Sequence, residues 1–445
     1  MIAMSQIPIS EKKRNERSLK VQDCILVGID PACYKHTAVI YTPSRTAIAK
    51  VHNINNNRKG FQNFENRLMS IKKLYPNIPI KLAIEASGEY WKPFQHYFRQ
   101  RGMETIFVPP LFVKRTRDLD DFTPRSNDPK DAVRIANLAF EGRYFIIEEQ
   151  SDVFENLRHL VRTWDIITDQ LTRCQHRIQS YLASYFPEFN LLFSSVVGVT
   201  SLAVLEHWPF PQDLCQVTAE QMNEMIKKKM GNGHVDKEKT TQLLALAQES
   251  VGISNGIEGA RIRIGAMIEQ AKFYKKQLAE LRKTISHTLN EIYYSENIKS
   301  VFGIGAISIA QFLGYLGDLY NYQKVKQILD LAGLSLIATE SGTFKSKQQI
   351  SHRGRKNLRR VLYEMTLHFL RAPGTARLKY LKCRIKGKTH RQAVIACIPI
   401  LIKIIFAVVK QNRKYIPLAK DDPMILEIKK YEKLVIKAPR KKMAA

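Results

Sequence analysis

Short apolar runs alternate with amphipathic segments in the N-terminal part of the chain. The run from Cys24 to Asp30 (CILVGID) is apolar and rich in β-branched residues until its last position, which is typical of a buried strand. Alternating apolar and polar residues predict two further strands near Thr37–Tyr41 and Ala47–Asn53. Three strands in succession predict the start of a meander.

Helices and strands alternate after this meander. The next predicted elements are, in order, a helix, a strand, a helix and a strand: Gly60–Leu74, Ile80–Ala86, Tyr90–Arg101 and Met103–Val108. A last helix begins at Asp128. The order βββαβαβα is that of an RNase H-like α/β domain, which we expect to occupy residues 23–150 after a basic N-terminal extension at 1–22.

Long helical periodicity marks the middle of the chain, residues 151–294. Glu155–Phe186 and Gly259–Tyr294 each predict one long helix, and a helical insert with a basic, glycine-containing turn at Met225–Gly233 separates them. Helices of this length suit an antiparallel or intermolecular coiled coil, and packing within one subunit is an equal alternative.

The C-terminal domain, residues 295–415, is predicted to be mostly α-helical. Its longest apolar run, Ala393–Val409, contains a proline and a lysine and is short for a membrane span. We therefore interpret it as part of a buried helix over Thr389–Gln411. The last residues, 416–445, have the composition of a loosely ordered basic tail.

The charge of the chain limits the class of partner. Lys and Arg number 70 against 41 Asp and Glu among 445 residues, which gives a formal net charge of +29 and a pI near 9.8. An excess of this size, spread over the whole chain, predicts a polyanionic partner, and nucleic acid is the first candidate. The alternatives are a merely basic soluble protein and a membrane surface, but no amphipathic basic helix favours a membrane partner.

The cysteines exclude two classes of stabilising site. All six are scattered without C-x-x-C spacing, so the sequence predicts neither a zinc site nor a disulfide framework. A reduced, cytosolic location fits this pattern, and the N-terminal residues have no apolar core long enough for a signal peptide.

Four carboxylates fall where the predicted fold brings them together. Asp30 ends the first strand, Glu85 lies inside the fourth strand, and Asp128 and Asp131 share one face of the last helix. The last pair also makes an ordinary helix start with the proline between them, which is the alternative. Converging carboxylates repel each other unless divalent cations lie between them, so the four predict a Mg²⁺ site for phosphodiester chemistry. Glu89, just past the same strand, is the main alternative to Glu85 as the second of the four acids.

Ser341, followed by Gly342, lies between an apolar segment and a strongly basic one. The basic residues that we expect to contact phosphates are Lys345, Lys347, Arg353, Arg355, Lys356, Arg359 and Arg360. A serine hydroxyl beside such cations suits nucleophilic attack on a phosphodiester, because the cations stabilise the charge that develops. The alternatives are a turn for the serine and a solvated helix face for the cations.

The chain contains a short internal repeat, in which Ser195–Ala203 (SVVGVTSLA) resembles Ser300–Ser308 (SVFGIGAIS). Gly303 and Gly305 in the second copy resemble the turn of a helix-hairpin-helix, where backbone amides bind a phosphate at a helix N-terminus. A tight turn between helices is an equally good account of the first copy.

Several of these motifs together resemble the insertion sequence 110 family of transposases, over nearly the whole chain from about Asp23 to Tyr415. The resemblance is carried by GID at Gly28–Asp30, IEASGEYW at Ile84–Trp91, D-x-x-D-A at Asp128–Ala132 and the C-terminal motifs AGL, SG and ISHRGRKNLRRVL. These distant motif sets occur in the order that the family has.

The resemblance implies a RuvC-like domain that supplies four acids, matched here by Asp30, Glu85, Asp128 and Asp131, and a transposase domain whose serine nucleophile is Ser341. It implies Mg²⁺ as cofactor and a phosphoserine intermediate with donor and target DNA. It also implies a non-coding bridge RNA as guide, dimers that assemble into a tetramer, and a location at the bacterial nucleoid.

Two other functions stay open on the residues alone. A junction-resolving nuclease would use the carboxylates and water, with Ser341 as a turn residue. A non-catalytic RNA or DNA binder would keep the fold without the chemistry. A covalent protein–DNA adduct distinguishes the transposase from both.

Overall fold

The computed structural model describes residues 11–48, 51–120, 128–147, 150–230, 236–337, 340–341, 344–345 and 349–437. The chain forms two compact units, residues 1–150 with 322–363 and residues 151–321 with 364–445.

A five-stranded mixed sheet forms the centre of the N-terminal domain. Its strands are β1 (Ile25–Asp30), β2 (Lys35–Tyr41), β3 (His52–Asn55), β4 (Ile80–Glu85) and β5 (Glu104–Val108). They lie in the order β3-β2-β1-β4-β5, with β2 antiparallel to both neighbours and β1, β4 and β5 parallel to one another. The α/β class and the five strands are as predicted, although β3 begins later because Ala47 makes only a single bridge to Tyr41.

Five helices of the described part of the domain cover the two faces of this sheet. They are α1 (Glu11–Gln22), α2 (Arg58–Leu74), α3 (Trp91–Arg99), α4 (Pro110–Asp120) and α5 (Asp128–Phe140). Helices α2 and α3 bury phenylalanines against one face, and α1, α4 and α5 pack on the other. Helix α4 was not predicted, because two consecutive prolines after β5 suggest a break in regular structure. Pro110 instead occupies the first helical position, which tolerates proline.

Helix α1 joins this domain, although it lies in the predicted N-terminal extension. Val21 is fully buried in the core, and the Ser18 hydroxyl donates to the carbonyl of Phe140 at 2.5 Å. Arg17 donates to the carbonyl of Tyr144, also at 2.5 Å. The domain therefore begins before residue 23.

Gly28 lets α5 lie close to β1. A Cβ atom at this position would be 2.2 Å from the carbonyl oxygen of Ala132 and 2.8 Å from the Cβ of Ala136. Only the absence of a side chain in β1 permits this approach. The first turns of α5 therefore lie against the sheet.

The second unit is helical in its described residues up to residue 321. Its elements there are α6 (Asp152–Tyr185), α7 (Phe189–Leu192), α8 (Val199–His207), α9 (Pro211–Leu214), α10 (Ala219–Met230), α11 (Lys237–Gln248), α12 (Ile257–Asn290), α13 (Ser295–Lys299), α14 (Ala306–Leu316) and a short 3-10 helix (Leu319–Asn321). The predicted basic turn begins as the last turns of α10, and Gly231–Gly233 lie outside the described residues.

The two long predicted helices are α6 and α12, and they pack antiparallel within the chain. The thiol of Cys174 donates to the carbonyl of Met267 at 3.2 Å, and further along, the Arg263 guanidinium lies 5.0 Å from the ring centre of Tyr181. Buried apolar residues of both helices share one core. The packing is therefore that of an antiparallel pair within one subunit.

Short hairpins carry the serine segment. After α15 (Val325–Leu331), β6 (Leu336–Ile337) pairs with β9 (Gln349–Ile350), and β7 (Glu340–Ser341) pairs with β8 (Phe344–Lys345), both antiparallel. Helix α16 (Lys356–Phe369) follows.

Three more helices follow within the described residues: α17 (Thr375–Ile385), α18 (His390–Lys410) and α19 (Pro423–Lys437). Among the described residues, α18 is the one helix long and apolar enough to cross a membrane by length and composition, with a mean hydropathy of 2.5. Half of that apolar window is buried inside the protein, as expected for the predicted core helix.

The prediction of a loosely ordered C-terminal tail is wrong for α19. Ile428 packs with Leu378 and Leu381 of α17. Arg377 and Lys382 of α17 form ion pairs with Glu432 and Glu427, both at 2.8 Å. The high lysine content of this stretch hid an apolar face with helical spacing.

Candidate active site

Asp30 and Glu85 lie at the same edge of the sheet. Strands β1 and β4 are parallel neighbours in which Ile29 pairs with Ile84, and each strand ends one residue later with its acid. Both carboxylates are half-buried. The structure thus brings these two predicted residues together.

Helix α5 carries Asp131, which is 4% exposed. Each of its carboxylate oxygens accepts a hydrogen bond from a different arginine. Arg117 Nη2 on α4 lies 2.5 Å from Oδ2, and Arg134 Nη1 on α5 lies 2.8 Å from Oδ1. The two guanidinium groups compensate the charge of this buried carboxylate, which would otherwise be costly to keep out of water.

Glu85 is electrostatically coupled to this cluster. Burial raises the pKa of the Glu85 carboxyl, and the negative charge of Asp131 raises it further. The Arg117 guanidinium and a hydrogen bond with Ser87 act in the opposite direction. Glu85, Asp131 and Arg117 therefore belong to one site, and added positive charge there would favour the ionised form of Glu85.

Asp128 is the first residue of α5, as predicted, and its side chain lies outside the described part of the structure. The rival acid, Glu89, is exposed and forms an ion pair with Lys92 of α3. An exposed pair of this kind is an ordinary surface feature. The geometry therefore favours Glu85 over Glu89.

The donor atoms at this edge suit a hard divalent cation, which prefers carboxylate oxygens. Among the described side chains, no three His, Cys, Asp or Glu residues surround one point closely enough to hold a metal ion. The Asp128 side chain is not among them, and both Asp131 oxygens are bonded to arginines. The carboxylates of Asp30, Glu85 and Asp131 are therefore suitable ligands for a divalent metal. Asp131 could bind the metal only if one of its two arginines moved away.

Neither Arg117 nor Arg134 was predicted from the sequence to belong to this site. Arg134 follows Asp131 by three positions on one helix, a spacing that brings side chains together and could have indicated the pair. Arg117 lies 14 residues before Asp131 on the helix that was not predicted, so no local spacing rule joins them.

Ser341 lies in β7, where it pairs with Phe344 of β8. The side chain of Ser341 lies outside the described part of the structure, as does the whole of Gly342. The prediction that Ser341 is the nucleophile therefore rests on sequence.

Backbone hydrogen bonds close the base of the serine segment. Arg355 N donates to the carbonyl of Leu331 at 2.7 Å, and His352 N donates to that of Gly333 at 3.1 Å. A Cβ atom on Gly354 would lie 2.4 Å from the backbone nitrogen of Gly333. The AGL and HRG motifs are thus in direct contact, and their glycines allow this contact.

The predicted phosphate-binding residues differ in accessibility. Arg353, Lys356 and Arg360 are exposed, whereas Arg355 and Arg359 are half-buried. Arg359 Nη1 donates to the Ala332 carbonyl at 2.8 Å, so this side chain also supports the base of the segment. The side chain of Lys345 and the whole of Lys347 lie outside the described residues.

The predicted glycine turn joins α13 to α14. Gly305 precedes the first residue of α14, and Gly303 has a φ of +76°. A Cβ atom on Gly303 would lie 2.9 Å from the carbonyl oxygen of His368. The turn is as expected, and phosphate binding by Gly303 and Gly305 stays a prediction.

Two family models match the chain in the order of its motifs. The DEDD transposase model of IS110, described as "Transposase", matches residues 27–187, and a model described as "Transposase IS116/IS110/IS902 family" matches residues 295–381. The first range contains the four predicted acids and the second contains Ser341. A DEDD transposase domain implies dependence on a divalent metal.

Similar proteins come from insertion elements. An uncharacterized 44.8 kDa protein of insertion element IS116 from Streptomyces clavuligerus is 22% identical over 89% of this chain and 97% of its own length. An uncharacterized 43.6 kDa protein of insertion element IS110 from Streptomyces coelicolor is 22% identical over 71% of this chain and 78% of its own. A pilin gene-inverting protein from Moraxella lacunata is 33% identical over 28% of this chain and 39% of its own.

The two matched ranges lie in the same order as the motifs and together cover more than half of the sequence. The relatives from IS110 and IS116 align over most of it. The chain belongs to the IS110 family of transposases.

Proposed function

We propose that this DNA transposase cuts and rejoins the donor and target DNA of its insertion sequence through a phosphoserine intermediate on Ser341. The proposal is supported by Asp30 and Glu85, which end neighbouring parallel strands, and by the charge of Asp131, which acts on Glu85. It is also supported by the C-terminal family match, which spans the Ser341 segment. The partial likeness to a pilin gene-inverting protein supports recombination of DNA as the class of reaction.

The N-terminal domain has, in this proposal, an RNase H-like fold of the RuvC type. The order β3-β2-β1-β4-β5, with an antiparallel start and parallel β4 and β5, supports this assignment. The helices on both faces of the sheet also support it. The carboxylates then lie at the ends of the two central parallel strands and on the helix that crosses them.

Asp30, Glu85, Asp128 and Asp131 would hold Mg²⁺, since carboxylate oxygens are its preferred ligands. When bound, Mg²⁺ neutralises phosphodiester oxygens and assists the attacking and leaving oxygens. The charge of Asp131 raises the pKa of Glu85, so a cation at this edge relieves a repulsion that already exists.

Ser341 exchanges one phosphodiester for another. A bond forms between Oγ and phosphorus while the bond from phosphorus to one deoxyribose oxygen breaks, and that oxygen takes up a proton. The hydroxyl of a second strand then attacks the phosphorus, which restores a DNA phosphodiester and releases the serine. Glu340 and His352 are the neighbouring titratable residues that would receive the serine proton. Arg353, Lys356 and Arg360 would neutralise the phosphate.

The remaining partners in this proposal rest on the family resemblance. They are a bridge RNA that guides the choice of donor and target, and further copies of the chain as a dimer and a tetramer. The net charge of +29 supports a polyanionic partner without distinguishing RNA from DNA. A cytoplasmic, nucleoid-associated location follows from DNA as the substrate.

A covalent adduct tests the nucleophile. Incubation with labelled donor DNA, followed by denaturation, digestion and peptide mapping, should place the label on Ser341, because a serine–phosphate ester survives denaturation. Ser341→Ala should lose both recombination and the adduct. The matched control is Ser351→Ala in the same segment, which should retain both. A label on Ser351, or hydrolytic cleavage without any adduct, would support the nuclease instead.

A further inference from the structure

Two tyrosines in the second unit form an exposed stacked pair, which we call the tyrosine platform. Tyr293 follows α12 and is 69% exposed, and Tyr320 in the 3-10 helix is 39% exposed. Their ring centres are 6.1 Å apart and the ring planes differ by 29°. Large aromatic side chains grouped in water are a feature of binding surfaces, because their burial is left for a partner.

Hydrogen bonds and a ring contact with neighbouring residues hold the tyrosine platform in place. The Tyr320 hydroxyl donates to the carbonyl of Val409 at 3.2 Å, and the Tyr320 backbone nitrogen donates to Asp318 at 3.0 Å. The buried ring of Tyr294 meets Tyr293 edge to face at 5.1 Å. A hydrogen bond between the two exposed phenols raises the pKa of Tyr293 to about 12. Tyr293 therefore presents its ring in a defined orientation, with little left to order on binding.

Exposed cations lie beside the tyrosine platform. Lys410 Nζ is 4.2 Å from the ring centre of Tyr320. Hydrogen bonds from Asn297 to Asn412 at 2.8 Å, and from Tyr415 N to Ser300 at 2.7 Å, hold residues 412–415 beside the turn after α13. Arg413 and Lys414, between these two bonds, are exposed.

The neighbouring acids offset only part of this charge. Asp318 accepts a hydrogen bond from the buried Tyr294 hydroxyl at 2.9 Å. Glu296 pairs with Lys299 at 2.5 Å, and Glu291 lies 3.4 Å from His287. The phenol of Tyr294 is neutral and leaves the charge of Asp318 in place, whereas Lys299 neutralises Glu296. Lys410, Arg413 and Lys414 outnumber Asp318 and Glu291, so the surface beside the rings keeps a net positive charge.

We infer that the tyrosine platform binds single-stranded DNA, with an unpaired base stacked on Tyr293 and adjacent phosphates on Lys410, Arg413 and Lys414. An exposed flat ring recognises the face of a base, and flanking cations recognise the backbone. Duplex DNA offers no such face, because its bases are stacked on each other. A transposase exposes unpaired strands when it exchanges them, and so supplies this ligand. The inference goes beyond the proposed function, since it uses neither Ser341 nor the carboxylates.

Binding to oligonucleotides tests the inference in the presence of a chelator, which keeps the result independent of any metal site. Fluorescence anisotropy compares a labelled oligothymidine, the same strand with abasic positions, a duplex of equal length and oligouridine. We expect Tyr293→Leu to weaken oligothymidine binding about 5- to 150-fold, the range for loss of one stacked base. Binding of the abasic strand and the duplex should change less than about twofold, since neither offers a base face.

Two further variants separate stacking from folding. Tyr293→Phe keeps the ring and should bind oligothymidine nearly as the natural protein does. Phe273→Leu removes another exposed aromatic side chain, 57% exposed on α12, and should have no effect. An equal loss for the abasic strand, an equal loss in Phe273→Leu, or no loss in Tyr293→Leu would overturn the inference. Tighter, Tyr293-dependent binding of oligouridine would overturn the assignment to DNA in favour of RNA.

Discussion

The two arginines bonded to Asp131 have different surroundings. The Arg134 side chain is 5% exposed, whereas that of Arg117 is 32% exposed. Nε of Arg117 is buried and has no hydrogen-bond partner among the described atoms. A buried donor without a partner costs about 1–3 kcal/mol, which lowers the free energy needed to move Arg117 away. We therefore expect a divalent cation at Asp131 to displace Arg117 more readily than Arg134.

Removal of the Arg117 charge should strengthen metal binding by the free protein. Arg117→Gln leaves one Asp131 oxygen without its guanidinium and removes a positive charge near Glu85. An interaction of about 1–2 kcal/mol between partly exposed charges corresponds to roughly 5- to 30-fold tighter Mg²⁺ binding. Isothermal titration calorimetry without DNA measures this directly.

Arg115 provides the matched control, because it is exposed on the same helix. Arg115→Gln removes the same charge and should leave Mg²⁺ affinity unchanged. Weaker Mg²⁺ binding in Arg117→Gln would mean that Arg117 positions Asp131 for the metal and does not compete with it. Absence of Mg²⁺ binding in every variant would count against the metal site itself.

At the scale of elements, contact between β1 and α5 determines where Asp131 lies. Gly28→Ala places a methyl group 2.2 Å from the Ala132 carbonyl, so the backbone of the helix has to move. We expect a loss of about 1–3 kcal/mol in stability, as for an overpacked core. Backbone amides of α5 and β1 should exchange their hydrogens faster, as measured by mass spectrometry. The variant should also lose DNA recombination.

Gly265→Ala is the opposite control. This glycine lies inside α12, and an added Cβ meets no atom within 4 Å. Alanine should therefore stabilise the helix by up to about 1 kcal/mol. If the backbone amides of α5 exchanged their hydrogens at the natural rate in the Gly28→Ala protein, the helix would tolerate the methyl group. The short distance between α5 and β1 would then not require glycine at position 28.

Elements whose signal is local were predictable from the sequence. The apolar run ending at Asp30 indicated β1, and Asp128-Pro129 marked the first turn of α5 correctly. Helix α4 was missed because two prolines suggest a break, and α19 was missed because its lysines made the segment resemble a basic tail. In both cases tertiary packing decided what propensity left ambiguous.

The same distinction between local and non-local signals applies to the residues of the candidate site. Strand ends are visible in the sequence, and they were sufficient to predict that Asp30 and Glu85 lie at one edge of the sheet. The charge of Asp131 on the last helix acts on Glu85, and a shared metal site of these acids stays a prediction. Arg117 could not be predicted, because its bond to Asp131 joins two helices across 14 residues. Arg359 was expected to contact phosphate, but its bond to the Ala332 carbonyl depends on the folded AGL turn.

At the scale of the whole molecule, a net charge of +29 attracts nucleic acid wherever the individual cations lie. This long-range field speeds association, whereas direct phosphate contacts release counterions and set the salt dependence of binding. The two contributions can be separated by removing equal charge at two places. The exposed residues Arg353, Lys356 and Arg360 are suitable at one place, and Lys429, Lys430 and Lys433, exposed on α19, at the other.

Neutralising the first set to glutamine should flatten the salt dependence of duplex binding. Each lost phosphate contact lowers the slope of log K against log salt by about 0.9, so three contacts lower it by roughly 2.7. The α19 triple variant has the same net charge and should keep the slope of the natural protein, because its lysines contribute only to the field. The slopes come from titrations at several salt concentrations. Equal slopes in the two variants would assign Arg353, Lys356 and Arg360 to a solvated helix face, with phosphate contacts made elsewhere on the chain.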